Sequence, residues 1–352
     1  MKENITIYDI AKESGVSVST VSRVLNNSNS VSDKTRKKVQ AIMDKYKYTP
    51  NSLARGLMNK KTMTIGVILP DITNPYFASL FLQIQRYALM YNYSIILCNT
   101  LFAGSSHGYD TPFNERDYFN MMLDKQVDAV LITGGQIDKE DVSKEFIQDL
   151  NKLNESIPVV IIGQSIKGCN CHFIERNLTC GVSTLVQHLS LLGHKRLGFI
   201  GGEIGVNVTT ARVNAFKKAL ASLSLPCDDN LIVLTNYYAK DGYEAMNKLL
   251  YCDTPNPTAV IAINDMVARG AIRAIYDNGL SVPGDIAVVS CDQFPDSDYL
   301  LPRLTTIDQM DEYLGKIAIT KLISAINGIS ENISINHTPE LVVRESCGFS
   351  NK

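Results

Sequence analysis

Between residues 64 and 291 the chain alternates short Val/Ile-rich runs with longer stretches of helical apolar spacing. The runs are TIGVILP at 64–70, SIILCNT at 94–100, AVLITGG at 129–135 and PVVIIGQ at 158–164. A second set follows: RLGFIGG at 196–202, IVLT at 232–235, AVIAI at 259–263 and IAVVSC at 286–291. Residues 75–91, 113–124, 139–154, 179–192, 210–223, 240–251 and 265–278 read as the intervening helices. Runs that are apolar throughout, rather than at every second residue, are strands buried on both faces. The alternation therefore demands parallel sheets covered by helices. At 352 residues the chain is too long for one ordinary core, and the two sets predict two open α/β lobes. Ligands of such sheets bind beyond the carboxyl ends of the strands, and a cleft between two lobes is such a place.

The first 61 residues have a different character. They carry 12 Lys+Arg against five Asp+Glu, a net of +7, while the remaining residues carry 22 against 31, a net of −9. The overall charge of −2 hides a basic head on an acidic body, and such a head suits a polyanion. Thr6 can cap a helix over 7–14, with Ile7, Ile10 and Ala11 as its apolar stripe and Gly15 as its stop. Ser17 caps a second helix over 18–25, which buries Val21, Val24 and Leu25 and shows Ser19, Thr20, Ser22 and Arg23. A third helix from Ser32 buries Val39, Ile42, Met43 and Tyr46 and exposes Lys34, Arg36, Lys37 and Lys38. This is a helix-turn-helix with a supporting helix. Its second helix would enter the major groove, led by Val18 and Ser19, with Arg23 able to reach a guanine through two parallel hydrogen bonds. Tyr8, Thr20, Ser22, Asn26, Ser32 and Thr35 would hold phosphates and set the register. The alternative is a small helical domain whose polar faces are merely solvated.

Pro50 ends the third helix, and Asn51 can cap a short helix over 52–58 with Leu53, Ala54 and Leu57 apolar and Arg55 basic. Seven residues do not hold a helix in water unaided, so this one is expected to form when two copies pack on DNA. A paired Leu57 could then wedge a base step from the minor groove. A plain linker is the alternative.

TIYDIAKESGVSVSTVSRVLN, YTPNSLARGL and TIGVILPDITNPYF resemble the lactose-repressor (LacI/GalR) family of bacterial transcription regulators. LGHKRLGFIGG, ARVNAF, PTAVIAINDMVARGAI, LSVPGDIAVVSCD and PRLTTIDQ continue the resemblance in the family's order along essentially the whole chain. It implies an all-α helix-turn-helix head over 1–49, a hinge helix and linker over 50–61, and a two-lobed α/β body with parallel sheets, like the periplasmic binding proteins, over 62–352. The N-lobe is expected at 62–165 and 296–325 and the C-lobe at 166–295 and 326–350. A homodimer on double-stranded, pseudo-palindromic operator DNA is implied, or a dimer of dimers. No leucine-heptad tail follows residue 340, which favours the dimer. Val18, Ser19 and Arg23 match base-reading positions, and Leu57 matches the intercalating leucine.

At strand ends the chain places Asp71, Tyr76 and Phe77, then Arg212, Tyr237, Asn264 and Asp292. An Arg facing an Asp suits a polyhydroxylated ligand, since each makes paired charge-assisted hydrogen bonds to vicinal hydroxyls. Aromatic rings suit the apolar face of a sugar. Each of these residues could instead serve as a helix cap or surface ion pair. The resemblance implies that Arg212 and Asp292 grip the ligand, with Asn264 a polar contact and Tyr237 an aromatic wall. Against the family's pattern, Glu175-Arg176 replaces the usual Asp-Asn, Cys180 replaces a polar contact, and 101–113 is an inserted loop. A direct saccharide or saccharide-like effector is expected; these departures speak against a standard monosaccharide and leave a larger or modified saccharide open.

Competing classes fare worse. A sugar-binding transport receptor would share the body but not the basic head. It would also be expected to carry a secretory leader, and MKENITIYDI has no apolar core for one, so the expected site of action is the cytoplasm. GFIGGEIG is not G-x-G-x-x-G and lacks a Walker lysine, and the histidines at 107, 172, 188, 194 and 337 fall in no catalytic or metal spacing, so neither an enzyme nor a cofactor is expected. Cys98 and Cys291 should be buried thiols. Cys169 and Cys171 read as reduced, solvent-side thiols, with a metal site involving His172 as the alternative.

Overall fold

The computed structural model describes residues 5–25, 30–48, 61–100, 115–329 and 338–349. The chain divides into two compact units, 1–63 and 64–352.

The first unit is a three-helix head. Thr6 caps α1 (Ile7–Ser14), and its N–H and hydroxyl both donate to the Asp9 carboxylate at 2.8 and 2.6 Å. Gly15 ends α1 in the left-handed region at φ 62°. Ser17 then accepts from the Thr20 N–H at the start of α2 (Val18–Leu25), and Ser32 accepts from the Thr35 N–H at the start of α3 (Asp33–Tyr46). Ile10, Ala11, Val21, Val24, Val39 and Met43 form the core, with Leu25, Ile42 and Tyr46 packed half-buried against it.

The body begins with β1 (Thr64–Leu69), α4 (Pro75–Met90), β2 (Ser94–Asn99) and α5 (Glu115–Asp124). It continues through β3 (Ala129–Thr133), α6 (Lys144–Ser156), β4 (Val159–Ile162) and β5 (His172–Ile174). These five strands form one all-parallel sheet in the order β2-β1-β3-β4-β5. The second set comprises α7 (Cys180–Leu191), β6 (Leu197–Ile200), α8 (Asn207–Ser222), β7 (Ile232–Val233), α9 (Ala239–Leu250), β8 (Ala259–Ala262), α10 (Asp265–Asp277) and β9 (Ala287–Ser290). β10 (Thr305–Asp308), α11 (Asp311–Ile326) and β11 (Glu340–Val342) follow. The second sheet runs β11-β10-β9-β8-β6-β7 and is parallel except for β11.

Each sheet is buried on both faces, as expected for all-apolar runs. Val130, Leu131, Val159, Val160 and Ile161 are inaccessible in the first lobe, and Phe199, Val260, Ile261 and Val288 in the second. The lobe boundaries differ from those expected. The 172–174 segment completes the first sheet, and 305–308 belongs to the second rather than the first. The 294–297 turn also sits in the second lobe, where the Phe294 N–H and Ser297 hydroxyl donate to buried Asp265. Only α11 crosses back, packing on α4 and against β3 and β4. The expected helix over 139–154 is a short 3-10 turn at Gly135–Asp138 followed by α6, and the expected 232–235 strand keeps two residues.

Cys98 and Cys291 are buried. Cys171 is not solvent-side as expected but buried in the first lobe's core, with half-buried Cys169 packed against it. Among the described residues no group of side chains could hold a metal ion.

Helices α9 and α10 meet through glycine. A Cβ on Gly270 would lie 1.8 Å from the Ala239 carbonyl oxygen, and one on Gly242 2.1 Å from that of Val267. Both obstacles are backbone and cannot rotate away. Gly270→Ala should therefore force the helices apart and destabilise the body by about 1–3 kcal/mol or more, read as a lower midpoint in urea unfolding.

Candidate functional site

The strands of the body deliver their following loops to one cleft between the two sheets. Asn74, Tyr76 and Phe77 come from beyond β1, Asp138 from beyond β3, and Arg176 from beyond β5. The second lobe supplies Glu203, Asn236, Tyr237, Tyr238, Asn264 and Asp292 after its own strands, and Arg212 from α8. The cleft encloses about 870 Å³ of empty space, part of it continuous with solvent.

Its floor is an ion pair. Arg212 is 2% exposed and Asp292 8%. The guanidinium donates from Nη2 to Asp292 Oδ1 at 2.5 Å and from Nη1 to Oδ2 at 3.1 Å, and Nη1 also donates to the Ile263 carbonyl. Nε is buried among the described residues without an acceptor. Burial opposes the charged guanidinium, but the paired Asp292 carboxylate outweighs it and holds the Arg212 pKa above its ordinary value. A planar donor fork and a carboxylate thus face the cleft with some hydrogen-bonding capacity unspent.

Several side chains do two things at once. Asn264 caps α10 by accepting from the Val267 N–H at 2.9 Å, and its amide donates to the Tyr237 carbonyl at 3.0 Å. The cap and cleft-wall readings of Asn264 are therefore compatible. The Tyr237 hydroxyl shares a 2.8 Å hydrogen bond with Thr209, and burial raises its pKa to about 12. Asn74 caps α4, and Tyr76 and Phe77 in its first turn meet edge to face with centroids 5.0 Å apart.

Asp71 behaves differently from its neighbours and does not line the cleft. Its carboxylate accepts from the Thr73 N–H and hydroxyl at 2.8 and 2.6 Å, and from the Tyr238 hydroxyl of the other lobe at 2.5 Å. Asp71 thus ties the lobes together. The 135–140 turn does the same. The Glu140 N–H donates to the Gly205 carbonyl at 2.9 Å, and the Asn207 amide donates to the Lys139 carbonyl at 3.0 Å. Tyr238, Asp138, Glu203 and Asn236 were not singled out in the sequence. Only their adjacency to strand ends could have signalled them.

Two carboxyls near this turn are perturbed by burial. Asp138 is raised to about 6, with Arg176 opposing the shift. Glu115, 4% exposed beneath the turn, accepts from the Gln136 N–H and is raised to about 7.

On the head, Ser19 and Arg23 are exposed on one face of α2 and Tyr8 is 70% exposed. Val18 is half-buried against the core. Thr20, Ser22 and Thr35 are half-buried and Ser32 is exposed. Local hydroxyl pairs, Ser17 with Ser19 and Thr20 and Ser32 with Thr35, orient these groups. Asn26, Asn51, Leu53, Ala54, Arg55 and Leu57 lie outside the described residues, as does the 101–113 insertion.

The class this defines is a two-lobed ligand receptor body carried with a helix-turn-helix head. Comparison with known proteins agrees. Residues 6–51 match the model of the bacterial regulatory proteins of the lacI family, and residues 186–347 match the periplasmic binding protein-like domain. The chain is 36% identical over 341 residues to catabolite control protein A of Priestia megaterium, covering 96% of this chain and 98% of the relative. It is 31% identical over 345 residues to the HTH-type transcriptional repressor PurR of Haemophilus influenzae, covering 97% and 98%. The lac repressor dimer bound to operator and the anti-inducer ONPF superposes with a TM-score of 0.81 at 26% identity, covering 98% of this chain and 99% of that one. The chain belongs to the lacI family: it is a transcriptional repressor with a DNA-binding domain and an effector-binding domain, not an enzyme.

Two outcomes follow from the cleft. Arg212→Met leaves Asp292 buried without its partner, and a loss of about 3–5 kcal/mol in urea unfolding is expected. Because the folded state binds a proton to Glu115 more tightly than the unfolded chain, this residue contributes most at low pH. Its contribution falls as pH rises from 4.5 through about 7. Glu115→Gln should flatten the stability profile across that window, with up to about 3 kcal/mol regained at pH 8.

Proposed function

We propose that this protein represses carbohydrate-utilisation genes as a cytoplasmic homodimer on a pseudo-palindromic operator, and that a saccharide or saccharide-like effector in the cleft controls its grip. Val18, Ser19 and Arg23 read bases, while Tyr8, Thr20, Ser22, Asn26, Ser32 and Thr35 position phosphates. Asn51, Leu53, Ala54, Arg55 and Leu57 form the hinge segment, with Leu57 entering the minor groove. Arg212 and Asp292 grip ligand hydroxyls, Asn264 adds a polar contact, and Tyr76, Phe77 and Tyr237 stack on the ring. Asp71 acts through lobe closure, since its carboxylate is spent on Thr73 and Tyr238.

The observation carrying this reading is the buried Arg212–Asp292 pair on the floor of a two-lobed cleft, in a chain that also holds a lacI-family head. The lac repressor's complex with operator and anti-inducer supports the same division of labour. A transport receptor is disfavoured by that head.

Fluorescence anisotropy on operator DNA tests the reading. Arg23→Ala should cost about 1–3 kcal/mol on the specific site and relax its sequence preference, with the fold retained. Affinity should also fall steeply with salt, as phosphate contacts release counterions. Equal binding of operator and scrambled DNA by the unaltered protein would sink the proposal.

A further inference from the structure

One cation lining the cleft has no ion-pair partner among the described residues. Arg176 follows β5 on the first lobe and is half-buried at the cleft wall. Its guanidinium carbon lies 4.9 Å from the centroid of the Tyr76 ring. Tyr76 is in turn braced edge-on by Phe77. Such stacking fixes the plane of a guanidinium and leaves its N–H edge open.

Among the described residues nothing accepts a hydrogen bond from that edge, and no carboxylate comes to ion-pair distance. Asp138 is the acidic group that feels Arg176, through space rather than at ion-pair distance, and burial raises its pKa to about 6. Of the other charges on the cleft, Arg212 is paired with Asp292, while Lys139 and Glu203 are exposed at the rim. Arg176 therefore lines the space between the lobes with its N–H edge unspent on any described residue. The cross-lobe bonds of Asp71 and of the 135–140 turn link the lobes beside that space. An anion entering there would meet a donor fork that no carboxylate of the described residues occupies.

We propose that the cleft takes a polyhydroxylated ligand bearing an anionic group, a carboxylate or a phosphate, and that Arg176 is the residue that selects it. This rests on the reading of the cleft as a saccharide site. Arg212 and Asp292 would take the hydroxyls from the second lobe. Arg176 takes the anion from the first, with its planar fork matched to two oxygens. An anion at that position also couples the lobes, because only the closed cleft presents both arginines to one ligand.

Isothermal titration of the full-length protein tests this with nine probes: glucose, galactose and mannose, each as the neutral sugar, the uronate and the 6-phosphate. At least one anionic probe should bind more tightly than its neutral parent. Arg176→Gln should weaken that probe by about tenfold or more, and Arg176→Lys, which keeps the charge but not the fork, by less. The uronate and phosphate arms show which anion the site prefers. Tighter binding of a neutral sugar, or an anionic probe indifferent to Arg176→Gln, overturns the inference while leaving the saccharide reading intact. No binding by any of the nine overturns the inference as well. Unchanged thermal unfolding of the Arg176 variants shows that a loss of binding is local.

Discussion

A charged guanidinium sits at the floor of the cleft, nearly inaccessible to solvent, and the second lobe is arranged around it. Arg212 comes from α8, its carboxylate partner from the end of β9, and its third acceptor, Ile263, from the end of β8. Burying this charge is tolerable only because the N-terminal half of α8 and the ends of β8 and β9 meet at one point. That requirement fits a parallel sheet, in which adjacent strands deliver their carboxyl ends side by side. Asn264 follows from the same geometry, closing the wall while capping the helix that leaves it.

The first lobe meets this floor with aromatic and hydrogen-bonding groups rather than a second buried pair. Among the described residues, its ties to the second lobe include Tyr238 to Asp71 and two backbone-directed bonds at the 135–140 turn. The chain itself crosses between lobes near 175–179, at 309–310 and again after α11. At the second crossing Met310 adopts φ 59° and its N–H is held by Asp308 at 2.7 Å. Hydrogen bonds of this number between the lobes make an arrangement that a ligand can bias with about one or two kcal/mol, the usual scale of coupling between sites.

Much of the architecture was legible in the sequence for a clear reason. All-apolar runs flanked by helical periodicity have one economical solution, a parallel sheet covered on both faces, and the head's caps are chemical statements local to three or four residues. Thr6 with Asp9, Ser17 with Thr20 and Ser32 with Thr35 are such statements. Arg212 and Asp292 could be singled out because strand ends are where parallel sheets place their sites.

Periodicity identifies a strand but carries no information about its neighbour. That is why 172–174 and 305–308 were expected in the wrong lobes. For the same reason Asp71 was expected among the cleft-lining residues. Its carboxylate is committed to Tyr238, 167 positions away, a partner no local pattern names. Fold class, the basic head and the alternation of buried strands and helices were determined by the sequence alone, since they rest on local spacing and charge. Strand partnership, the buried ion pair, the glycine crossing of α9 and α10 and the placement of Arg176 on Tyr76 were decided only by tertiary structure. Each depends on which distant groups the packing brings within a few ångströms.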